Sequence, residues 1–285
     1  MTLGTRAADA STDRAAITIT RDLEYANAGE HSLQLDLYVP ETPAVPSLAI
    51  YIHGGGFRVG DKGDDAGHRP QTVASLGLAV ASVNYRLRDV GHFPDQVHDI
   101  KAAIRWLRGN AASLGVDASR IGLWGSSAGA ILAALTGLTS GDADLEGDLG
   151  DHCEMSTDVQ CVVFWSGAAD LVSSASRSEL ETRLSPATIE AGFLGLENVA
   201  DDIDLARQAS PLTHVRGDAP PFLIAHGDRD RLAIYHESAV LHDALTRAGA
   251  MSTLITLGGA GHEDARFDER ASLEMTAAFL RSHLQ

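Results

Sequence analysis

Short apolar runs alternating with amphipathic stretches are the feature of this 285-residue chain that most restricts its fold. A run of four to seven residues is long enough to cross a sheet and too short for a buried helix. Repeated with helical segments between, such runs imply a mostly parallel sheet covered by helices on both faces. Eight are legible, at 16–20, 33–39, 48–53, 79–84, 121–124, 159–165, 222–226 and 252–257. The earliest alternate in polarity, with Leu33, Leu35 and Leu37 set against Gln34 and Asp36, which predicts an antiparallel pair with one polar face. The later runs are apolar throughout, as strands covered on both sides must be.

The stretches between them read as helices. Pro94 can open one in which Val97, Ile100, Ile104 and Leu107 recur on a single apolar face. Asp95 and Asp99 fall early in it and Lys101, Arg105 and Arg108 later, an arrangement suited to the helix dipole. Residues 128–138 are small and apolar on every side, which predicts a helix fully buried against the sheet. Two further helices are expected around 234–248 and 271–284. From about 172 to 217 the rhythm stops, and an apolar cluster of Phe193, Leu194 and Leu196 stands in a connection long enough to form a lid.

A net charge of −17 and only 22 Lys and Arg residues, none of them in a run, exclude a phosphate-binding surface and attraction to an anionic membrane. The first ten residues lack the apolar core of a signal peptide, and no stretch of 18 apolar residues offers a membrane span. Two cysteines, Cys153 and Cys161, in so long a chain suggest a reducing compartment, so a soluble cytoplasmic protein is expected. Asp61, Asp64, Asp65 and His68 read as a solvated acidic loop rather than a metal site. No glycine-rich nucleotide loop of either common type is present.

Two motifs carry chemistry. Gly125-Ser126-Ser127-Ala128-Gly129 follows the apolar run 121–124 and precedes the buried helix. A sharp strand-to-helix turn there would expose the Ser127 hydroxyl at a helix N-terminus, with flanking glycines relieving the crowding. His53-Gly54-Gly55-Gly56 ends the run 48–53, and glycines let backbone amides approach a developing oxyanion. A serine nucleophile needs a base, and most of the 12 histidines must be surface or packing residues. His262 is singled out by its place in a glycine-rich loop after the last strand. His53 is expected to support the glycine loop and His226 to pack at a strand end, while Trp124 and Trp165 read as core. The acid belongs to His226-Gly227-Asp228-Arg229-Asp230, where Asp228 is placed to cap its own turn.

Taken together, the four motifs resemble the hormone-sensitive-lipase-like branch of the α/β-hydrolases, and within it small bacterial esterases with an acetyl- or feruloyl-esterase-like domain. The likeness runs from about residue 30 to 282 and keeps the order Ser, Asp, His. It implies a single α/β-hydrolase domain over 1–285. Its mostly parallel eight-stranded sheet would carry helices on both faces and a small cap-like insertion at about 172–217, before the penultimate strand. It also implies that Ser127, Asp230 and His262 are catalytic and that the amides of Gly55, Gly56 and Ala128 form the oxyanion hole. A serine carboxylesterase acting on a short-chain, small-molecule ester follows, with no cofactor or metal, no nucleic-acid or membrane partner, and a monomeric or homodimeric state. The same machinery serves amide cleavage in formamidases similar to this branch. A non-catalytic receptor of this fold is disfavoured because all three triad positions are filled. Two departures stand out. Ser126 replaces the aspartate common in the branch and has no chemical step of its own. The early strands leave little room for a large N-terminal cap, so the acyl pocket falls to the glycine loop and the 172–217 insertion.

Overall fold

The computed structural model describes residues 15–63, 68–176, 178, 180, 183 and 188–285. In chain order its main elements are β1 (Ile17–Ala28), β2 (His31–Pro40), β3 (Ser47–Ile52), α1 (His68–Ser75), β4 (Ala79–Val83), α2 (Asp95–Leu114), β5 (Asp117–Ser126), α3 (Ala128–Leu138), α4 (Ala143–Glu146), β6 (Cys161–Trp165), α5 (Ile189–Leu194), α6 (Ile203–Gln208), β7 (Phe222–Gly227), α7 (Tyr235–Ala248), β8 (Ser252–Leu257) and α8 (Arg270–Leu284). The strands form one sheet in the order β1-β2-β4-β3-β5-β6-β7-β8. β2 pairs antiparallel with β1 and with β4, and every pairing from β4 onward is parallel.

Two cores lie against the sheet. On one face Val97, Ile100, Ile104 and Leu107 of α2 share a core with α3 and with Leu241 and Leu245 of α7, so the expected apolar face of α2 is the buried one. On the other, Val73 and Ala74 of α1 pack with Leu273, Ala277 and Leu280 of α8 around Trp124 and Trp165. Every residue of α3 is buried, as its composition requires. Parallel strands place their carboxyl ends on one edge, and the loops after β3, β5, β7 and β8 meet there.

The structure differs from expectation at several points. β1 runs to Ala28 rather than to residue 20, because register shifts between Thr20 and Leu23 and between Glu24 and Ala26 break the two-residue alternation that would mark a strand. Helix α1 is an element that the polarity of its neighbours hides. His68 opens it, so the supposed acidic loop ends sooner, and Asp64 and Asp65 lie outside the described residues. Asp61 accepts hydrogen bonds from Asn84 and the Gly63 amide, and no metal-ligand cluster exists among the described residues.

Lys101 and Arg105 do not serve the end of α2, which continues to Leu114. Both are buried in mid-helix and paired with Glu146. Pro94 is the N-cap of α2 and Asp95 its first helical residue. Both cysteines are free; Cys153 is exposed, and burial pushes the Cys161 thiol up to about 12. No described helix is long and apolar enough to cross a membrane.

Candidate active site

Ser127 sits between β5 and α3 with φ 54° and ψ −119°, a backbone conformation that side-chain-bearing residues rarely adopt. The turn is possible because of what surrounds it. A Cβ on Gly125 would lie 2.0 Å from the Gly129 carbonyl oxygen, and one on Gly129 would lie 2.1 Å from the Ile52 carbonyl oxygen at the end of β3. Both positions therefore need glycine on grounds of space. The Ser127 amide donates to the Trp165 carbonyl at 2.8 Å, which fixes the turn to β6. The hydroxyl-bearing residue is half-buried rather than exposed.

His262, after β8, lies between Ser127 and Asp230. Its Nδ1 is 2.7 Å from Asp230 Oδ2 and its Nε2 is 2.9 Å from Ser127 Oγ. A carboxylate can only accept, so Nδ1 carries the proton and Nε2 is left as an acceptor for the serine hydroxyl. That tautomer can draw a proton off Ser127. The Asp230 side chain is fully buried, and its other oxygen takes the amides of Leu232 at 2.8 Å and Ala233 at 3.1 Å. These bonds hold the carboxylate on the histidine without help from solvent.

The contact with the loop's own amides that the sequence assigns to Asp228 is made by Asp230. Asp228 does not cap its own turn; it is exposed and accepts the Gly259 amide at 2.6 Å, tying the β7 loop to the loop that carries His262. His226 is buried, with Nδ1 2.6 Å from Ser238 Oγ and Nε2 2.7 Å from the Ala233 carbonyl. The carbonyl requires a proton on Nε2, which also faces Asp230 Oδ2 at 3.2 Å. Burial holds the His226 pKa below the ordinary histidine value, so it packs as a neutral ring behind the acid.

The glycine loop after β3 abuts this turn. A Cβ on Gly54 would be 3.1 Å from the Ser126 carbonyl oxygen and 3.2 Å from Ser127 Cβ. Gly55, Gly56 and Phe57 all have positive φ, curling the loop back so that the Gly55 carbonyl accepts the amides of Arg58 and Val59. Gly55 and Gly56 line a cavity of about 520 Å³ together with Ser127 and His262, and Ala128 lines an adjoining one of about 180 Å³. Phe57 is buried and stacks on Phe193 of α5 at 4.0 Å, so one residue of the apolar cluster at 193–196 lies against the loop. His53 supports the loop from below: Nδ1 lies 2.7 Å from the Gly54 carbonyl, and the ring stacks on Tyr85 at 4.5 Å.

Sequence reasoning missed Glu263 and Arg69. Glu263 directly follows His262 and has a left-handed φ of 50°. One of its oxygens accepts the Ser126 hydroxyl and the other the Arg69 guanidinium at 2.7 Å. Arg69 is buried, donates also to Asp268 at 2.6 Å and to Tyr51 at 3.2 Å, and lies over the Trp165 ring at 5.4 Å. Burial works against its charge, but Tyr51, Asp268 and Glu263 outweigh that and hold it fully cationic. Ser126 therefore has a structural role, joining the serine turn to the histidine loop. An acid next to the histidine was visible in sequence, whereas its pairing with a residue 194 positions away was not.

Among known proteins, a family model described as BD-FAE matches residues 35–245. Esterase LipQ of Mycobacterium tuberculosis is 30% identical over 234 residues, which are 81% of this chain and 53% of that protein. The chain thus spans about half the length of that curated relative. A truncated carbohydrate esterase from gut microbiota superposes with a TM-score of 0.85 at 28% identity, covering 96% of this chain and 98% of its own. The thermophilic esterase Est2 of the planctomycete Thermogutta terrifontis, solved with propionate bound, gives 0.72 at 27% identity, with 95% of each chain covered.

If Glu263 holds the histidine loop in register with the serine turn, Glu263→Gln should lower kcat by about tenfold through misplacement of His262. Ser126→Ala, which leaves the Arg69 contact in place, should cost less. Both are read from steady-state kinetics beside thermal unfolding; full activity in Glu263→Gln would show that the loop needs no such brace.

Proposed function

The chain belongs to the BD-FAE family of α/β-hydrolases, and from that premise we propose that it is a serine carboxylesterase of short-chain esters. The observation that carries the reading is the His262 imidazole held at once on Asp230 and on Ser127. Ser127 Oγ attacks the ester carbonyl while His262 Nε2 takes its proton. The amides of Gly55, Gly56 and Ala128 receive the negative charge that builds on the carbonyl oxygen. The proton then passes from His262 to the leaving alkoxide, and the acyl group stays on Ser127. Water, deprotonated by the same imidazole, releases the acid and restores the serine. Asp230 keeps the proton on Nδ1 and stabilises the imidazolium as it forms. This chemistry uses no cofactor.

The smaller cavity suits the acyl group. It measures about 180 Å³, is walled by Ile131, Ala168 and Ile234, and is bounded by the carboxylates of Asp170 and Glu237. At that volume, and with carboxylates at its boundary, it leaves little room for a long hydrocarbon tail. Among the described residues of the 172–217 segment, α5 lies against the glycine loop through Phe193 and would serve as part of a cap. The Thermogutta esterase with a three-carbon acid bound and the esterases among the relatives support ester over amide and short over long.

Ser127→Ala should lower kcat by on the order of 10⁶-fold, and Asp230→Asn by about 10⁴-fold, because the amide would favour the wrong histidine tautomer. Asp228→Asn keeps an acceptor for the Gly259 amide and should cost stability, about 1 kcal/mol, more than rate. Steady-state kinetics with thermal melts reads all three; a larger kinetic loss at Asp228 than at Asp230 would move the acid to Asp228.

A panel of nitrophenyl esters from acetate to decanoate, with methyl ferulate and formyl-kynurenine alongside, tests the substrate class. Burying each further methylene would add about 0.8 kcal/mol if a deep channel existed. With the cavity as it stands, kcat/KM should peak by butanoate and then fall. A steady climb to decanoate would contradict the short pocket, and preference for formyl-kynurenine would make the enzyme an amide hydrolase.

A further inference from the structure

The walls on the two sides of Ser127 carry opposite charge. Among the described residues, the smaller cavity presents Asp170, Glu190 and Glu237 and no Lys or Arg. The larger one, about 520 Å³ beside the glycine loop, presents Arg58 and Arg88. Among the described residues its one carboxylate, Glu263, is already held by Arg69 and the Ser126 hydroxyl. Two guanidiniums at one cavity are unusual in a chain of net charge −17.

Neither guanidinium is used for structure. Among the described residues, no hydrogen bond or ion pair involves the side chain of Arg58 or of Arg88, whereas Arg21, Arg69, Arg86, Lys101 and Arg105 are all paired. Arg88 is half-buried, so its guanidinium stays available to a ligand in the cavity that it lines. The position of Arg88 is nevertheless built. Its amide donates to the Phe57 carbonyl at 2.7 Å, which brings it beside Arg58 on the glycine loop. Its guanidinium lies against Gly192 of α5, where a Cβ would come within 2.4 Å of Nη1. The cap helix thus leaves room for this side chain at the mouth of the cavity that holds Ser127 and His262.

We infer that the larger cavity is a leaving-group subsite for an anion, and that the substrate is a short-chain ester of an alcohol bearing a carboxylate. The inference rests on the esterase reading above and adds the class of alcohol to it. The acyl part lies on Ser127 toward the smaller cavity, and the alcohol projects past Gly55 and Gly56 toward Arg88, with Arg58 at the rim. A guanidinium can bind a carboxylate through two parallel N–H groups, which fixes the alcohol as well as attracting it. The hydrolysis is unchanged: the acyl–oxygen bond breaks, the alcohol leaves with the proton from His262, and water supplies the oxygen of the released acid.

The test compares 4-acetoxybenzoate with its neutral methyl ester, each kcat/KM normalised to the ester's rate of alkaline hydrolysis. The wild-type protein should favour the carboxylate by tenfold or more, as a charge-assisted pair at the site predicts, with the difference in KM. The ratio should approach one in Arg88→Gln, be partly kept in Arg88→Lys, and shrink in about 0.5 M salt. Equal or poorer use of the carboxylate ester by the wild type, or an unchanged ratio in Arg88→Gln, would overturn the subsite while leaving the esterase reading in place. No turnover of either ester would overturn the esterase reading and the subsite with it.

Discussion

The contact between the β5–α3 turn and the end of β3 is the constraint on which the rest of the site depends. Gly129 packs so tightly on the Ile52 carbonyl that no side chain fits between, and Gly54 lies against Ser126 and Ser127. Two parallel strands that neighbour one another in the sheet thereby deliver the serine and the glycine loop to the same point. A gap of even one side chain would separate the carbonyl oxygen of a bound ester from the amides proposed to receive its charge. β7 and β8, also neighbours, bring Asp230 and His262 to that point from the other side. The sheet sets the distances, and the loops contribute the chemistry.

What holds the two halves together is polar and long-range. Glu263 joins the histidine loop to Ser126, Arg69 joins Glu263 to α1 and Asp268, and Asp228 joins the β7 loop to Gly259. Non-glycine residues in left-handed backbone cost free energy, about 1 kcal/mol or more each, and Ser127, Phe57 and Glu263 all lie at the site. Such strain persists only where surrounding contacts over-determine it. These bonds and the Phe57–Phe193 stack do so.

Much of this was legible in the sequence. Runs of apolar residues placed seven of the eight strands within a few residues, most plainly β3, β4, β6 and β7, which are buried on both faces and leave an unbroken signal. The length of β1 was not legible, because its bulges shift the face to which alternate residues point. Helix α1 was missed for a related reason: its buried surface includes Arg69, a residue that composition assigns to solvent. Ser127 and His262 were singled out by local motifs, and Asp230 by the family likeness, since its loop offers two aspartates. Glu263 and Arg69 did not, since their meaning lies in a pairing across the fold. The positions of Lys101 and Arg105 teach the same lesson, for buried cations on α2 answer Glu146 rather than the helix end.

A fluorophosphonate tests whether Ser127 is an activated nucleophile. Intact-mass analysis followed by peptide mapping should find one adduct per chain, on Ser127, forming rapidly at neutral pH. The adduct should be absent in Ser127→Ala and should form far more slowly in His262→Ala. Labelling at another residue, or labelling of Ser127 at the same rate without His262, would contradict the account.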